Sequence, residues 1–267
     1  MTGVQTCALP ICFPVTITGP TENTFNNFNN DVNKKPKIEN TSSANQTIGF
    51  PLKWGNSTME LKPINGDLTI TKAINNNGLW TDVLGGNGKT LSIASMSGTG
   101  GLTIKNNNNN QTTVKITGTS TYTGITNVDF GTLELQADVS SAEIIVANGA
   151  KLVINGNDVD VEKLTINSGG NVEVLPGKSL TVKGVLTNNG TLTLKSDANG
   201  TATIKTLGTV TNGGTTNYKV EQYLASQRNW WYLSSPVSAA TSNVFAPAES
   251  TNKIGNYEHT RKTPING

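Results

Sequence analysis

GTLELQADVSSAEIIVANGA (131–150), KLVINGNDVDVEKLTINSGG (151–170), NVEVLPGKSLTVKGVLTNNG (171–190) and TLTLKSDANGTATIKTLGTV (191–210) follow one another without interruption. Each block opens on an alternating pair of aliphatic residues: Leu133/Leu135, Leu152/Ile154, Val172/Val174 and Leu192/Leu194. Alternation with period two buries one face of a strand and exposes the other. Each block carries a second short apolar stretch, at Ile144 to Val146, Leu164/Ile166, Val182 to Leu186 and Ala202/Ile204. The first three close on a small turn holding Gly149, Gly169/Gly170 or Gly190. Strand signals that recur at a fixed interval of about twenty residues mark a repeat architecture.

The blocks are too short to carry helical crossovers between parallel strands. The arrangement that buries every apolar face is all-β: a parallel β-helix, or β-solenoid, with one block per coil and equivalent strands about 4.8 Å apart. A lone coil of this length cannot bury enough apolar surface to fold, so coils above and below must complete it. Gly and Asn suit the corners, where backbone conformations with positive φ are needed, and Asn can also hydrogen-bond from coil to coil. Upstream the pairs Leu68/Ile70, Leu91/Ile93, Leu102/Ile104 and Val114/Ile116 continue the pattern more loosely. Asn106 to Asn110 reads as an exposed loop between coils. A β-sandwich or propeller also has many short strands, but the twenty-residue period favours the solenoid.

Composition agrees. Gly, Asn, Thr and Ser are abundant, which favours strands and turns over helices. Charged residues make up 14% of the 267 and the formal net charge is +2. This balance gives no electrostatic case for nucleic acid or an anionic membrane surface. No apolar run approaches the roughly 18 residues of a membrane helix. The single histidine, His259, excludes a metal site built from two or more histidines and leaves any Ser-His-Asp or Cys-His centre dependent on a residue in a polar tail. No catalytic residue and no cofactor is assigned.

Two resemblances add expectations about function. VKITGTSTYTGITNVDFGTLEL (114–135) resembles the autotransporter-associated β-strand repeat, with Gly118, Tyr122, Gly124, Gly131, Thr132 and Leu133 in the motif positions and Ile125 where a second glycine is usual. The stretch from Leu164 to Val237, with LTNNGTLTLKSDANGTATI and VEQYLASQRNWWYLSSPVS, is similar to large secreted bacterial proteins handled by type IX secretion, at the junction after a β-helical region. Both imply a secreted or surface-displayed stalk or adhesin-like protein, and neither brings a catalytic residue to carry over. The leading expectation is a structural or adhesive rod that is not an enzyme, whose polar outer faces make many weak contacts with glycans or surface proteins. A β-helical carbohydrate-active enzyme, or its carbohydrate-binding accessory domain, is the alternative. The final RKTPING suggests a chain truncated in mid-segment. No oligomeric state is read from the sequence.

The candidate residues are few. Asp158, Asp160 and Glu162 lie at alternate positions opposite Val159 and Val161, so a strand would put them on one face. They form a weak candidate for calcium or for paired carboxylates, against the simpler reading of a solvated acidic stripe. Asp138 and Asp197 are expected at other phases of the repeat. Trp230 and Trp231, with Tyr232, could stack on sugar rings, or could pack as a cap over the last coil. GGNGKT (85–90) ends like a phosphate-binding loop, but Val83 stands where a glycine is needed and LSIAS reads as a strand rather than a helix.

Cys7 and Cys12, the only cysteines, sit in MTGVQTCALPIC. Ile11 is too large for a lipobox and no basic segment precedes it. Residues 1–11 instead resemble the translation of a sequencing adapter, and are read as an assembly artefact. The expected organisation is therefore 1–12 artefact, 13–60 irregular lead-in, 61–217 solenoid, and 218–267 a cap or the start of a downstream β domain.

Overall fold

The computed structural model describes residues 15–18, 22–25, 35–105, 107–212 and 217–223. Cys7, Cys12, Trp230, Trp231, Tyr232 and His259 lie outside the described residues. Among the described residues all the regular elements are strands, and they wind as a three-sided parallel β-solenoid of about eight coils.

Each coil runs across three faces in turn. The first face stacks Gln46–Gly49, Leu68–Asn75, Thr90–Ser97, Thr113–Ile116, Thr132–Leu135, Lys151–Ile154, Asn171–Val174, Thr191–Leu194 and Tyr218–Val220. The middle face stacks Asp158–Val161, Ser179–Val182 and Thr203–Thr206, and single bridges carry it back through Val139 to Ser120. Further upstream Leu52–Trp54 pairs with the second half of Leu68–Asn75, which pairs with the second half of Thr90–Ser97. The return face stacks Lys37–Asn40, Met59–Pro63, Thr81–Val83, Leu102–Ile104, Thr126–Val128, Ile144–Val146, Leu164–Ile166, Leu186–Asn188 and Val210–Asn212.

Registration fixes which side chains face inward. On the first face Leu68, Leu91, Val114, Leu133, Leu152, Val172 and Leu192 form one column, each paired with the next. Two residues on, Ile70, Ile93, Ile116, Leu135, Ile154 and Val174 form a second buried column. In a parallel ladder one step is one coil, so the interior is a continuous aliphatic stack. Successive members of the first column are separated by 23, 23, 19, 19, 20 and 20 residues. The twenty-residue blocks therefore correspond to coils, and the upstream coils are a few residues longer.

The second apolar stretches divide between two faces. Ile144, Leu164 and Leu186 share the return face, whereas Val182 and Ile204 belong to the middle face. Two strands per block were visible in sequence; the third was hidden because middle-face Val182 lies only four positions before return-face Leu186 and reads with it as one stretch, and because this face shrinks to single bridges in two coils. Winding also begins earlier than position 61. Lys37–Asn40, Gln46–Gly49, Leu52–Trp54 and Met59–Pro63 already pair within the ladder, so much of the segment expected to be irregular is solenoid. As expected, GGNGKT turns and runs into the strand Thr90–Ser97, and residues 107–110 of the asparagine run form a turn with Asn108 and Asn109 at positive φ.

The interior contains polar groups where aromatic residues need partners. Trp54 is fully buried, and its indole Nε1 donates to Thr81 Oγ1 at 2.8 Å. The buried Tyr122 hydroxyl pairs with Thr126 Oγ1 at 2.6 Å, and Thr126 donates to Ser141 Oγ at 2.9 Å. Corner asparagines tie coils through the backbone. Asn76 Nδ2 donates to the Gly100 carbonyl at 2.8 Å while its Oδ1 accepts from the Gly100 amide at 2.9 Å.

Truncating the buried Leu152 to alanine should cost about 2–5 kcal/mol in urea unfolding. Its outward neighbour, changed as Val153→Thr, should cost less than about 1 kcal/mol. Similar costs at both positions would contradict the inward–outward alternation.

Candidate functional site

The outward row of the first face holds Thr69, Ser92, Lys115, Glu134, Val153, Glu173 and Thr193. Lys115 lies 3.4 Å from Glu134, Lys151 2.8 Å from Glu173 and Lys195 2.7 Å from Glu221, each pair joining adjacent coils of the first face. Such exposed pairs add little stability individually.

The acidic stripe is as the alternation predicts. Val159 and Val161 are buried, and Asp158 and Asp160 point outward from the middle face. Asp160 and Glu162 each lie 3.4 Å from Lys183, which neutralises part of their charge. Asp138 corrects the phase argument: its Oδ1 accepts the Asp160 amide at 3.0 Å, so it stands beside the stripe on the preceding coil. Counting in twenties misplaced it because 22 residues separate these positions at this corner. Among the described residues no group of three or more Asp, Glu, His or Cys is arranged to hold a metal ion. Asp197 lies instead in a short hairpin, where it accepts the Asn199 amide at 2.7 Å.

A more structured arrangement lies on the return face, where sequence reasoning assigned nothing. Thr58, Trp80, Asp82, Thr103, Lys105, Asn127 and Asp129, together with Lys35, line a shallow open depression of about 400 Å³. Register builds it. Met59 pairs with Thr81, Thr81 with Leu102, and Leu102 with Thr126, all with inward side chains. Their outward neighbours are then Thr58, Trp80, Gly101 and Ile125 in one row, and Glu60, Asp82, Thr103 and Asn127 in another. Lys105 and Asp129 follow one position after the paired Ile104 and Val128.

Gly101 determines how Trp80 sits. A Cβ at this position would come within 2.7 Å of Trp80 Cε3, so only glycine leaves room for the indole beside it. The ring lies over the neighbouring coil and remains 38% exposed. Asp82 is the electrostatic centre. Its side chain is only 4% exposed, and Oδ2 accepts from Lys35 Nζ and Lys105 Nζ, both at 2.8 Å. The hydrogen bond to Asp82 holds the Lys35 ammonium above its usual range despite partial burial. Burial pushes the Asp129 carboxyl above the ordinary aspartate range; Lys105 opposes this and Asp82 adds to it. The depression thus joins an exposed aromatic ring, hydroxyls, an amide, a tightly paired carboxylate and a second carboxyl that is reluctant to ionise. The sequence signal was the interval of 21–24 residues linking Trp80 to Gly101, Thr103 to Asn127 and Lys105 to Asp129.

Residues 138–266 match a family described as a domain of unknown function (DUF8693). No curated protein and no solved structure matches the chain. No helix among the described residues is long and apolar enough to cross a membrane.

The raised Asp129 carboxyl has a defined consequence for stability. Folding disfavours its charged form, so the native state gains stability as pH falls through the raised value toward the ordinary range and is penalised above it. Asp129→Asn removes that penalty. The variant should be at least as stable as the parent at pH 7, with the difference closing as pH approaches about 4. Thermal unfolding across this range measures it; a variant less stable at pH 7 than at pH 4, relative to the parent, would contradict the assignment.

Proposed function

We propose that the chain is part of a secreted or cell-surface bacterial protein in which the solenoid is a structural, adhesin-like rod without catalysis. The observation that carries this reading is the continuity of the stack. Inward columns run unbroken through the coils while the outward row of the first face, Thr69, Ser92, Lys115, Glu134, Val153, Glu173 and Thr193, is mostly polar, which supports an element that serves length and lateral contact. Eight coil steps at about 4.8 Å make a rod of roughly 40 Å.

The residues behind the resemblance to autotransporter-associated repeats occupy demanding positions, which supports carrying that resemblance forward. Tyr122 and Leu133 are buried, Gly131 has φ +75°, and a Cβ on Gly124 would come within 2.6 Å of the Gly101 backbone nitrogen. The similarity of the sequence 164–237 to proteins exported by type IX secretion supports an extracellular location. Partners in this reading are glycans or surface proteins.

A carbohydrate-active enzyme is the second reading, favoured by Asp129 and Asp82 lining one depression with the Asp129 carboxyl raised. Against it, Asp82 is committed to two lysines. Protease treatment of intact cells of the source bacterium should release peptides from 138–223, and the purified chain should generate no new reducing ends from polysaccharides. Recovery of the peptides only after lysis would contradict surface display. Product formation abolished by Asp129→Asn would replace the rod by the enzyme.

A further inference from the structure

We propose that the return-face depression is a binding site for a neutral pyranose oligosaccharide, with one sugar ring seated on the Trp80 indole. The proposal goes beyond the rod reading and requires only the folded solenoid, whatever its cellular location.

Three features of the site point to this ligand. First, Trp80 is a partly exposed aromatic that lines the depression. Its ring lies against Gly101, where any side chain would displace it. The second fully described tryptophan, Trp54, is entirely buried with its indole N–H bonded to Thr81, which is how this fold stores a tryptophan used only for packing. A flat apolar ring bordered by polar groups matches a pyranose, which presents C–H groups on its face and hydroxyls at its rim.

Second, the polar lining comes from consecutive coils. Thr58, Asn127 and Asp129 supply hydroxyl, amide and carboxyl groups in the same depression as the ring, able both to donate and to accept, while Thr103 and the lysine-paired Asp82 are nearly buried in its lining. They are set on strands about 4.8 Å apart, close to the rise of one sugar along an extended chain. An oligosaccharide lying parallel to the solenoid axis would meet a new row of polar groups at each coil.

Third, the charges cancel. Lys35 and Lys105 oppose Asp82 and Asp129, and both lysines are already bonded to Asp82. Recruiting them to an acidic sugar would leave a nearly buried carboxylate without its partners, which is costly. This selects a neutral ligand over a uronate and over nucleic acid.

The test is calorimetric titration of the full chain with five probes: cellohexaose, xylohexaose, mannohexaose, maltohexaose and hexagalacturonate. Saturable binding of at least one neutral hexasaccharide is expected. Trp80→Ala should weaken it about tenfold or more, while Trp80→Tyr, which keeps a ring, should retain most of it. Asn127→Ala, which changes an outward amide on another coil, should weaken it several-fold and serves as an independent check should Trp80→Ala fail to fold. No binding of any probe, a preference for hexagalacturonate, or binding unchanged by Trp80→Ala and lost in Trp231→Ala would each overturn the proposal. Surface display could fail its own test without altering these outcomes.

Discussion

The in-register parallel ladder is the constraint on which everything else depends. A β-solenoid coil has no independent core, so each inward leucine or valine is buried only if its counterparts above and below lie at the same register. Leu133, Leu152, Val172 and Leu192 satisfy this along the first face. A one-residue slip would turn the whole row to solvent and bring Glu134, Val153, Glu173 and Thr193 inside. The same constraint governs the outside. Because inward residues are locked, outward residues are brought together across coils with equal certainty, and the depression beneath Trp80 is a by-product of that locking.

Corners absorb the variation that the ladder cannot. Coil lengths from 19 to 26 residues are accommodated between strands while the paired positions are retained. Asn76 bridges a corner through its amide, bonding the Gly100 carbonyl and amide together, so a polar group stays satisfied inside an apolar stack. Thr81 and Thr126 do the same for the buried indole and phenol. These residues make the interior selective for one winding rather than merely apolar.

The first face was legible in the sequence because its aliphatic pairs recur at nearly constant spacing. The middle face was not: Val139 contributes only a bridge, and Val182 and Ile204 resemble return-face residues until pairing assigns them. The lead-in was underestimated because Gln46–Gly49 places a glutamine where later coils carry leucine, which breaks the alternation without breaking the ladder. The geometry of Asp158, Asp160 and Glu162 was legible from alternation alone, but their neighbour Asp138 was lost to the assumption of a constant period. The Trp80 depression escaped for the same reason. Outward residues carry no hydropathy signal, and Trp80, Thr103, Asn127 and Asp129 belong together only once coils of unequal length are aligned.

The register can be tested by disulfide trapping in the full chain with Cys7 and Cys12 replaced by serine. Outward residues at paired positions sit about 4.8 Å apart at Cα, within reach of a disulfide. Val153 and Glu173 are such a pair. The double variant Val153→Cys with Glu173→Cys should oxidise to a single intramolecular crosslink, found by mass spectrometry of the native protein. The shifted pair, Val153→Cys with Val172→Cys, joins an outward residue to an inward one and should stay reduced. Equal crosslinking of both pairs, or trapping of the shifted pair alone, would contradict the solenoid register and with it the site built on the return face.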